Sequence, residues 1–264
     1  MKYTSKNFHL HYIAQYKLLV KTDFLVDTLL VVDDNGEVIV LYSYAANEPD
    51  AEAMKLLGLP FKHVFIGLPV QSLSFIPTDV YTEEDSALYQ DFLLDEYSER
   101  THYYSIPNLG VTAIYQYDLL LYNRWRAIFP NAHFLADFQL VLGEAQSRIP
   151  LQGEILGAHF KDTQVELFVF KNGVFQFYNI FDIETLDDLY YFLLNTCQSL
   201  DLQAPVQKIL VSGIHNEHSY LQALGRFAEH IEFIKIKSAF HANDESVATK
   251  LNELNLMTDY SLCV

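Results

Sequence analysis

Residues 165–181 read VELFVFKNGVFQFYNIF. Two apolar runs flank Lys171-Asn172-Gly173, and Asn-Gly between such runs is a strong hairpin signal, because both central residues of a type I′ turn need positive φ. Residues 28–44, TLLVVDDNGEVIVLYSY, repeat the device around Asn35-Gly36. The two turn glycines lie 137 residues apart, about one domain length.

The elements around each hairpin follow a common order. In the second half EILGAHF precedes the hairpin as a strand. ETLDDLYYFLLNTCQSL follows as a helix with an apolar stripe at Leu186, Leu189, Tyr190, Leu193, Cys197 and Leu200. Thr185 and Asp188 have capping-box spacing. QKILVSGI is a strand, EHSYLQALGRFAE a helix and IEFIKIK a strand, with a further helix over Glu245–Leu254. In the first half FHLHYIA alternates like a strand and puts His9 and His11 on one face. After the Asn35-Gly36 hairpin comes a helix opened by Pro49 and Asp50 and closed by Gly58, then the strand KHVFIGLP. SLSFIP, THYYSI and VTAIYQY read as strands, TEEDSALYQDFLL as a helix capped by Thr82. DLLLYNRWRAIF is a helix stopped by Pro130, followed by the strand AHFLA and the short helix FQLVLGEAQS. Residues 148–153 read as a boundary, giving domains 1–148 and 149–264.

A hairpin followed by a helical crossover to another strand gives a mixed sheet with helices over it. VELFVF and FQFYNIF, apolar on both faces, are therefore expected in the middle of such a sheet. The fold class is α/β, with two similar lobes of mixed sheet covered by helices, the repetition pointing to internal duplication and the cleft between lobes being the default ligand site.

Composition excludes several functions. Asp and Glu outnumber Lys and Arg 34 to 17, a net charge of −17. Nucleic-acid binding rests on neutralising phosphates with cations, so this acidic chain is not expected to bind nucleic acid, nor to adhere to an anionic membrane. Two cysteines, Cys197 and Cys263, make neither a disulfide framework nor a zinc cluster. The apolar runs are strand-sized, without the length of a signal peptide or a membrane span, so a cytoplasmic setting without membrane insertion is expected.

The doubled order of three antiparallel strands, helix, strand, helix and strand resembles the actin-like ATPase superfamily, of ribonuclease H-like type. That group includes actin, sugar kinases, heat-shock ATPases and bacterial cell-division and pilus-assembly relatives. The stretch FVFKNGVFQFYNIFDIETLDDLYYFLL, residues 168–194, is similar to a bacterial family of unknown function with this fold. The resemblance implies an Asp-x-Gly loop at the first hairpin of each lobe, its amides approaching phosphates and its Asp holding Mg²⁺ or a water. It also implies a Gly-Gly pair after a late strand, where the backbone passes the adenosine.

These residues are missing where they are expected. FHLHYIAQYKLL, residues 8–19, has neither Asp nor Gly; GAHFKDTQVEL, residues 157–167, has no Asp-x-Gly; VSGIHNE, residues 211–217, keeps only Gly213. The leading expectation is a pseudo-ATPase: a non-enzymatic protein without a cofactor, acting on an unidentified protein partner. The alternative is a divergent ATPase or kinase that binds ATP with magnesium, with Lys161, Asp162, Thr163 and Gly213 as the cofactor-binding candidates. Lys161 would meet a phosphate and Thr163 would donate a hydrogen bond; the competing reading is an exposed turn.

His215 and His218, three apart with Glu217 between them, are the metal candidates, since His and Glu ligate zinc; the competing reading is a polar loop that caps a helix. Asp33-Asp34 and Asp187-Asp188 are paired carboxylates in a turn and a first helical turn, where local roles account for them. No nucleophile motif or P-loop occurs, and Cys197 falls on an apolar stripe as a core thiol.

Overall fold

The computed structural model describes residues 1–93, 101–161, 163–235 and 237–262, with the side chains of 86, 87, 252, 253 and 255 excepted. The chain divides into two compact units. One comprises Met1–Leu140, Lys237–Leu251 and Met257–Val264; the other comprises Val141–Ile236 and Asn252–Leu256.

In the first unit a six-stranded sheet is built from β1 (Lys2–Thr4), β2 (Lys17–Thr22), β3 (Val26–Val32), β4 (Val38–Ala45), β5 (His63–Leu68) and β9 (His133–Ala136). Its order is β1-β4-β3-β2-β5-β9. The first four strands pair antiparallel, and β2-β5 and β5-β9 are parallel. β3 and β4 are buried on both faces, which is why their sequences are apolar without alternation. Helix α1 (Ala51–Leu57) is capped by Asp50, whose carboxylate accepts from the amides of Glu52 and Ala53, and ends at Gly58. A separate antiparallel sheet, β6-β8-β7, consists of β6 (Val70–Pro77), β7 (His102–Ile106) and β8 (Val111–Tyr117). Helices α3 (Leu119–Ile128) and α4 (Asp137–Gln146) follow as the sequence predicts.

In the second unit the sheet order is β12-β11-β10-β13-β14, from β10 (Glu154–Lys161), β11 (Gln164–Lys171), β12 (Val174–Asp182), β13 (Val206–Ser212) and β14 (Ala228–Phe233). The three strands of the opening hairpin and its predecessor are antiparallel, and β10-β13 and β13-β14 are parallel. This is the order and sense of β4-β3-β2-β5-β9. Helix α5 (Leu186–Ser199) has the capping box of Thr185 and Asp188 in both directions. It buries Leu189, Leu193 and Cys197 against Leu156, Val165, Leu167, Val169 and Ile209 of the sheet.

Both Asn-Gly hairpins form where expected, but only the second has positive φ at both turn residues; in the first only Gly36 does, Asn35 does not, so it is not the type I′ turn the sequence suggests. Each turn meets another segment. Gly36 has φ +82°, and a β-carbon there would lie 3.1 Å from the carbonyl oxygen of Ala239. His241 donates its amide to Gly36 O at 2.9 Å and accepts one from Val38 at 2.9 Å. Asn172 and Gly173 both have positive φ. Asn172 accepts the Gly153 amide on its side chain at 3.0 Å and donates its own amide to Gly153 O at 2.8 Å. The first of these contacts ties segment 237–251 to the first unit, and the Tyr260 hydroxyl, donating to Asp137 at 3.1 Å, ties 257–264; the sequence boundary at 148/149 groups both with the second half.

Several local expectations are corrected. FHLHYIA is no strand: Leu10–Tyr12 is a single 3-10 turn, with Leu10 and Tyr12 exposed. The Ser5 hydroxyl accepts the Asn7 amide at 3.1 Å and Asn7 donates to Glu37, which turns the chain off the sheet before alternation can pair. His9 and His11 therefore do not share a strand face. β11 is central and buried, but β12 is an edge strand with half-exposed residues, so only VELFVF of the two runs lacks a solvent side. Thr82 does accept the Asp85 amide, yet α2 covers only Ser86–Tyr89 before a 3-10 turn at Gln90–Phe92. Helix α6 covers only Tyr220–Leu224, because Phe227 and Ala228 already pair with Val206. The tail helix α7 spans Glu245–Leu254 as predicted, and a 3-10 stretch at Asn255–Leu262 follows.

Candidate functional site

The actin-like pattern puts its chemistry at the first hairpin of each unit, so the residues at those turns decide what the chain can do. In the first unit this hairpin is β2-β3, not residues 8–19. Its turn is Asp23-Phe24-Leu25, which supplies an Asp but carries Leu25 in place of a glycine. The Asp23 carboxylate accepts hydrogen bonds from the amides of Leu25 at 2.6 Å and Val26 at 2.7 Å. The amides that would cradle an incoming phosphate are thus already occupied by an anion of the chain itself. Phe24 and Leu25 project bare into solvent.

Behind the turn lies Asp27, 2% exposed. It accepts from the Thr22 hydroxyl and, at 2.8 Å, from Arg124 Nη2. Arg124, from α3, also donates to Thr22 Oγ1 at 2.7 Å and to the carbonyl of Ala46 at 3.1 Å. Beside Asp27, burial and then the Asp27 charge push the Tyr44 phenol up. Burial pushes the Asp27 carboxyl above its ordinary value; the Thr22 hydrogen bond and the Arg124 charge pull the other way. The sequence offered no sign of this cluster, since Thr22, Asp27 and Arg124 form no motif.

In the second unit the hairpin is β10-β11. Lys161 closes β10 opposite Gln164. Its ammonium pairs with Glu166, a residue 1% exposed, which also accepts the Tyr178 hydroxyl. Lys161 is committed to a buried carboxylate rather than extended over the turn. Thr163 is exposed and its carbonyl accepts the Ile183 amide at 2.8 Å. Asp162 lies outside the described residues.

Gly213 follows β13 with φ +84°, and a β-carbon there would lie 1.9 Å from the carbonyl oxygen of Phe160. The glycine lets the end of β13 approach the backbone of β10. One residue earlier, Ser212 Oγ and His159 Nδ1 lie 2.8 Å apart, both buried. Lys161, Thr163 and Gly213 thus gather at one end of β10 and β13.

His215 and His218 sit in the next loop, their rings 5.5 Å apart. Each Nδ1 accepts a backbone amide, from Glu217 at 3.2 Å and Tyr220 at 3.3 Å. These bonds cap the loop and the start of α6 and leave only the Nε2 atoms to act outward. Burial, and then the neighbouring His215, hold His218 below the ordinary histidine value. Among the described residues no three His, Cys, Asp or Glu side chains gather as a metal site. Asp33 accepts the amides of Asn35 and Glu37 within its turn, and Asp188 serves the capping box. Cys197 is buried, which pushes its thiol up.

Comparison with known proteins agrees with this architecture. Among solved structures the chain is similar to a Bacteroides thetaiotaomicron protein with actin-like ATPase fold and unknown function, at TM-score 0.69 and 15% identity over 96% of this chain and 98% of that one. It is also similar to a chain of the PilM-PilN type IV pilus biogenesis complex, at TM-score 0.59 and 11% identity over 94% of this chain and 96% of that one. Among curated proteins none matches. The fold is that of the actin-like ATPases. The model of a family described as protein of unknown function (DUF3822) matches residues 5–231, and the chain belongs to that family.

Proposed function

We propose that the chain is a pseudo-ATPase: it keeps the actin-like fold as a cytoplasmic scaffold for a protein partner and does not turn over nucleotide. The observation that carries this reading is the state of the first hairpins. Phosphoryl transfer is mostly positioning by loop amides, a metal and its carboxylate. In the first unit the turn amides bind Asp23, and Asp27 is buried against Arg124. In the second, Lys161 neutralises buried Glu166. A phosphate on the amides of the first turn would have to displace Asp23, and one drawn to Lys161 would have to compete with Glu166.

Two observations support a partner-binding role. A similar fold is found in a complex with PilN. Val80, Leu88, Phe92, Tyr103 and Tyr104, on or beside the β6-β8-β7 sheet, expose large apolar surface. No helix among the described residues is long and apolar enough to cross a membrane.

A thermal-shift titration with ATP and Mg²⁺ tests the proposal. The expected result is an unchanged melting temperature. A ligand at a hundredfold excess over its Kd would add about 2.7 kcal/mol, a visible shift. A shift of that size, lost in Lys161→Ala, would overturn the non-binding reading and establish a nucleotide site at the β10-β11 turn.

A further inference from the structure

The second unit holds a groove of about 400 Å³ lined in part by Arg148, Ile149, Pro150, Gln207, Lys208 and His230. Strand pairing sets Lys208 of β13 beside His230 of β14. Among the described residues that line it none is acidic, in a chain whose acids outnumber its bases 34 to 17.

The two cations share one carboxylate. Glu232 accepts from Arg148 Nη1 at 2.6 Å and from Lys208 Nζ at 2.8 Å. Lys208 also donates to the Arg148 carbonyl at 2.9 Å. One carboxylate thus fixes two cations and neutralises only one, and the Nε of Arg148 is buried without an acceptor among the described residues.

We infer that this groove binds a small phosphate-bearing molecule. Arg148, Lys208 and His230 line the groove from three segments, and several nitrogen donors around one groove suit the acceptor oxygens of phosphate better than a planar carboxylate. The Gln207 amide adds a polar wall. Ile149 and Pro150 give an apolar surface for the rest of the molecule, and the volume is in the range of small-ligand sites. The groove lies at the other end of the strands from the Lys161 hairpin. Lys208 precedes Gly213 by five residues, about 17 Å along β13. The assignment is therefore independent of whether nucleotide binds at that hairpin.

The test is a titration of the full chain with inorganic phosphate and with phenyl phosphate, followed by ³¹P NMR and calorimetry. Both probes should bind, phenyl phosphate more tightly. Lys208→Ala should weaken binding about tenfold, the scale of one charge-assisted contact. His230→Ala and Gln207→Ala do not touch Glu232 and should weaken binding severalfold with an unchanged melting temperature. Lys161→Ala should leave the affinity as it was. Equal affinity for the two probes would keep the phosphate site but overturn its extension over Ile149 and Pro150. Absence of binding at about 10 mM of either probe, or binding indifferent to both His230→Ala and Lys208→Ala, would overturn the proposal.

Discussion

Arg124 Nη2 lies 2.8 Å from Asp27 Oδ1, across 97 residues of chain. The pair joins α3 to the first hairpin of the first unit. Asp27 is almost fully buried, while the Arg124 side chain keeps 30% of its exposure. Removing the cation leaves a buried carboxylate with only hydroxyl donors. Arg124→Met should lower stability by about 2–4 kcal/mol, below the upper end for buried pairs because Arg124 is part-exposed. Urea denaturation should show a reduced midpoint with an unchanged slope. The double variant Arg124→Met/Asp27→Asn should recover part of the loss; additivity of the two single effects would refute the coupling.

The corresponding pair in the second unit is local. Lys161 and Glu166 face each other across one turn. Lys161→Met should cost about 3 kcal/mol by stranding Glu166 with the Tyr178 hydroxyl alone. Thr163→Ala, on the exposed turn itself, should fall within about 0.5 kcal/mol of the parent. Similar losses for the two variants would mean that the ion pair is not what holds the turn.

Gly213→Ala should be among the most damaging small substitutions. The backbone is left-handed there, and the contact a β-carbon would make is with the Phe160 backbone, which cannot swing aside like a side chain. The expected loss is at least about 2 kcal/mol. Gly143→Ala is the control, since a β-carbon there meets nothing within 4 Å. Thermal melts of both variants decide the matter, and equal melting temperatures would contradict it.

Glu232 makes stability depend on pH. The hydrogen bond from Lys208, then that from Arg148, holds its carboxyl below the ordinary 4.5. The folded state binds this proton less readily than the unfolded chain does. The stabilisation is therefore complete above the unfolded value and is lost as pH falls through the folded one. Between about pH 5 and pH 3, Glu232→Gln should flatten the decline in stability relative to the parent. An identical acid limb in the two proteins would rule out this contribution.

Turn chemistry and periodicity are properties of a few consecutive residues, and they were legible. The hairpins at Asn35-Gly36 and Asn172-Gly173, the caps at Asp50 and Thr185 and the apolar stripe of α5 all follow from local geometry; the repeat of strand order was read too, but with FHLHYIA in the place that Lys17–Thr22 takes. So did the actin-like fold, because its signature is an order of elements. The misreadings share a cause. FHLHYIA alternates, but Ser5 and Asn7 divert the backbone before it pairs. FQFYNIF is as apolar as VELFVF, but its place at the sheet edge is settled by strand order. The end of the helix before β14 is set by the pairing of Ala228 with Val206.

The candidate site was less legible than the fold for the same reason. The sequence showed that Asp-x-Gly was missing and marked Lys161, Thr163 and Gly213. It gave no means of seeing that Asp23 folds back onto the amides of its own turn. Nor did it show that Glu166 claims Lys161, or that Glu232 ties Arg148 to Lys208. By itself the sequence determined most of the strands and helices and the two Asn-Gly hairpins, and it showed no Asp-x-Gly at the stretches where the resemblance implies one. Tertiary structure alone decided which charges neutralise one another, because a carboxylate and a cation 84 or 97 residues apart are brought together only when the sheet between them has formed.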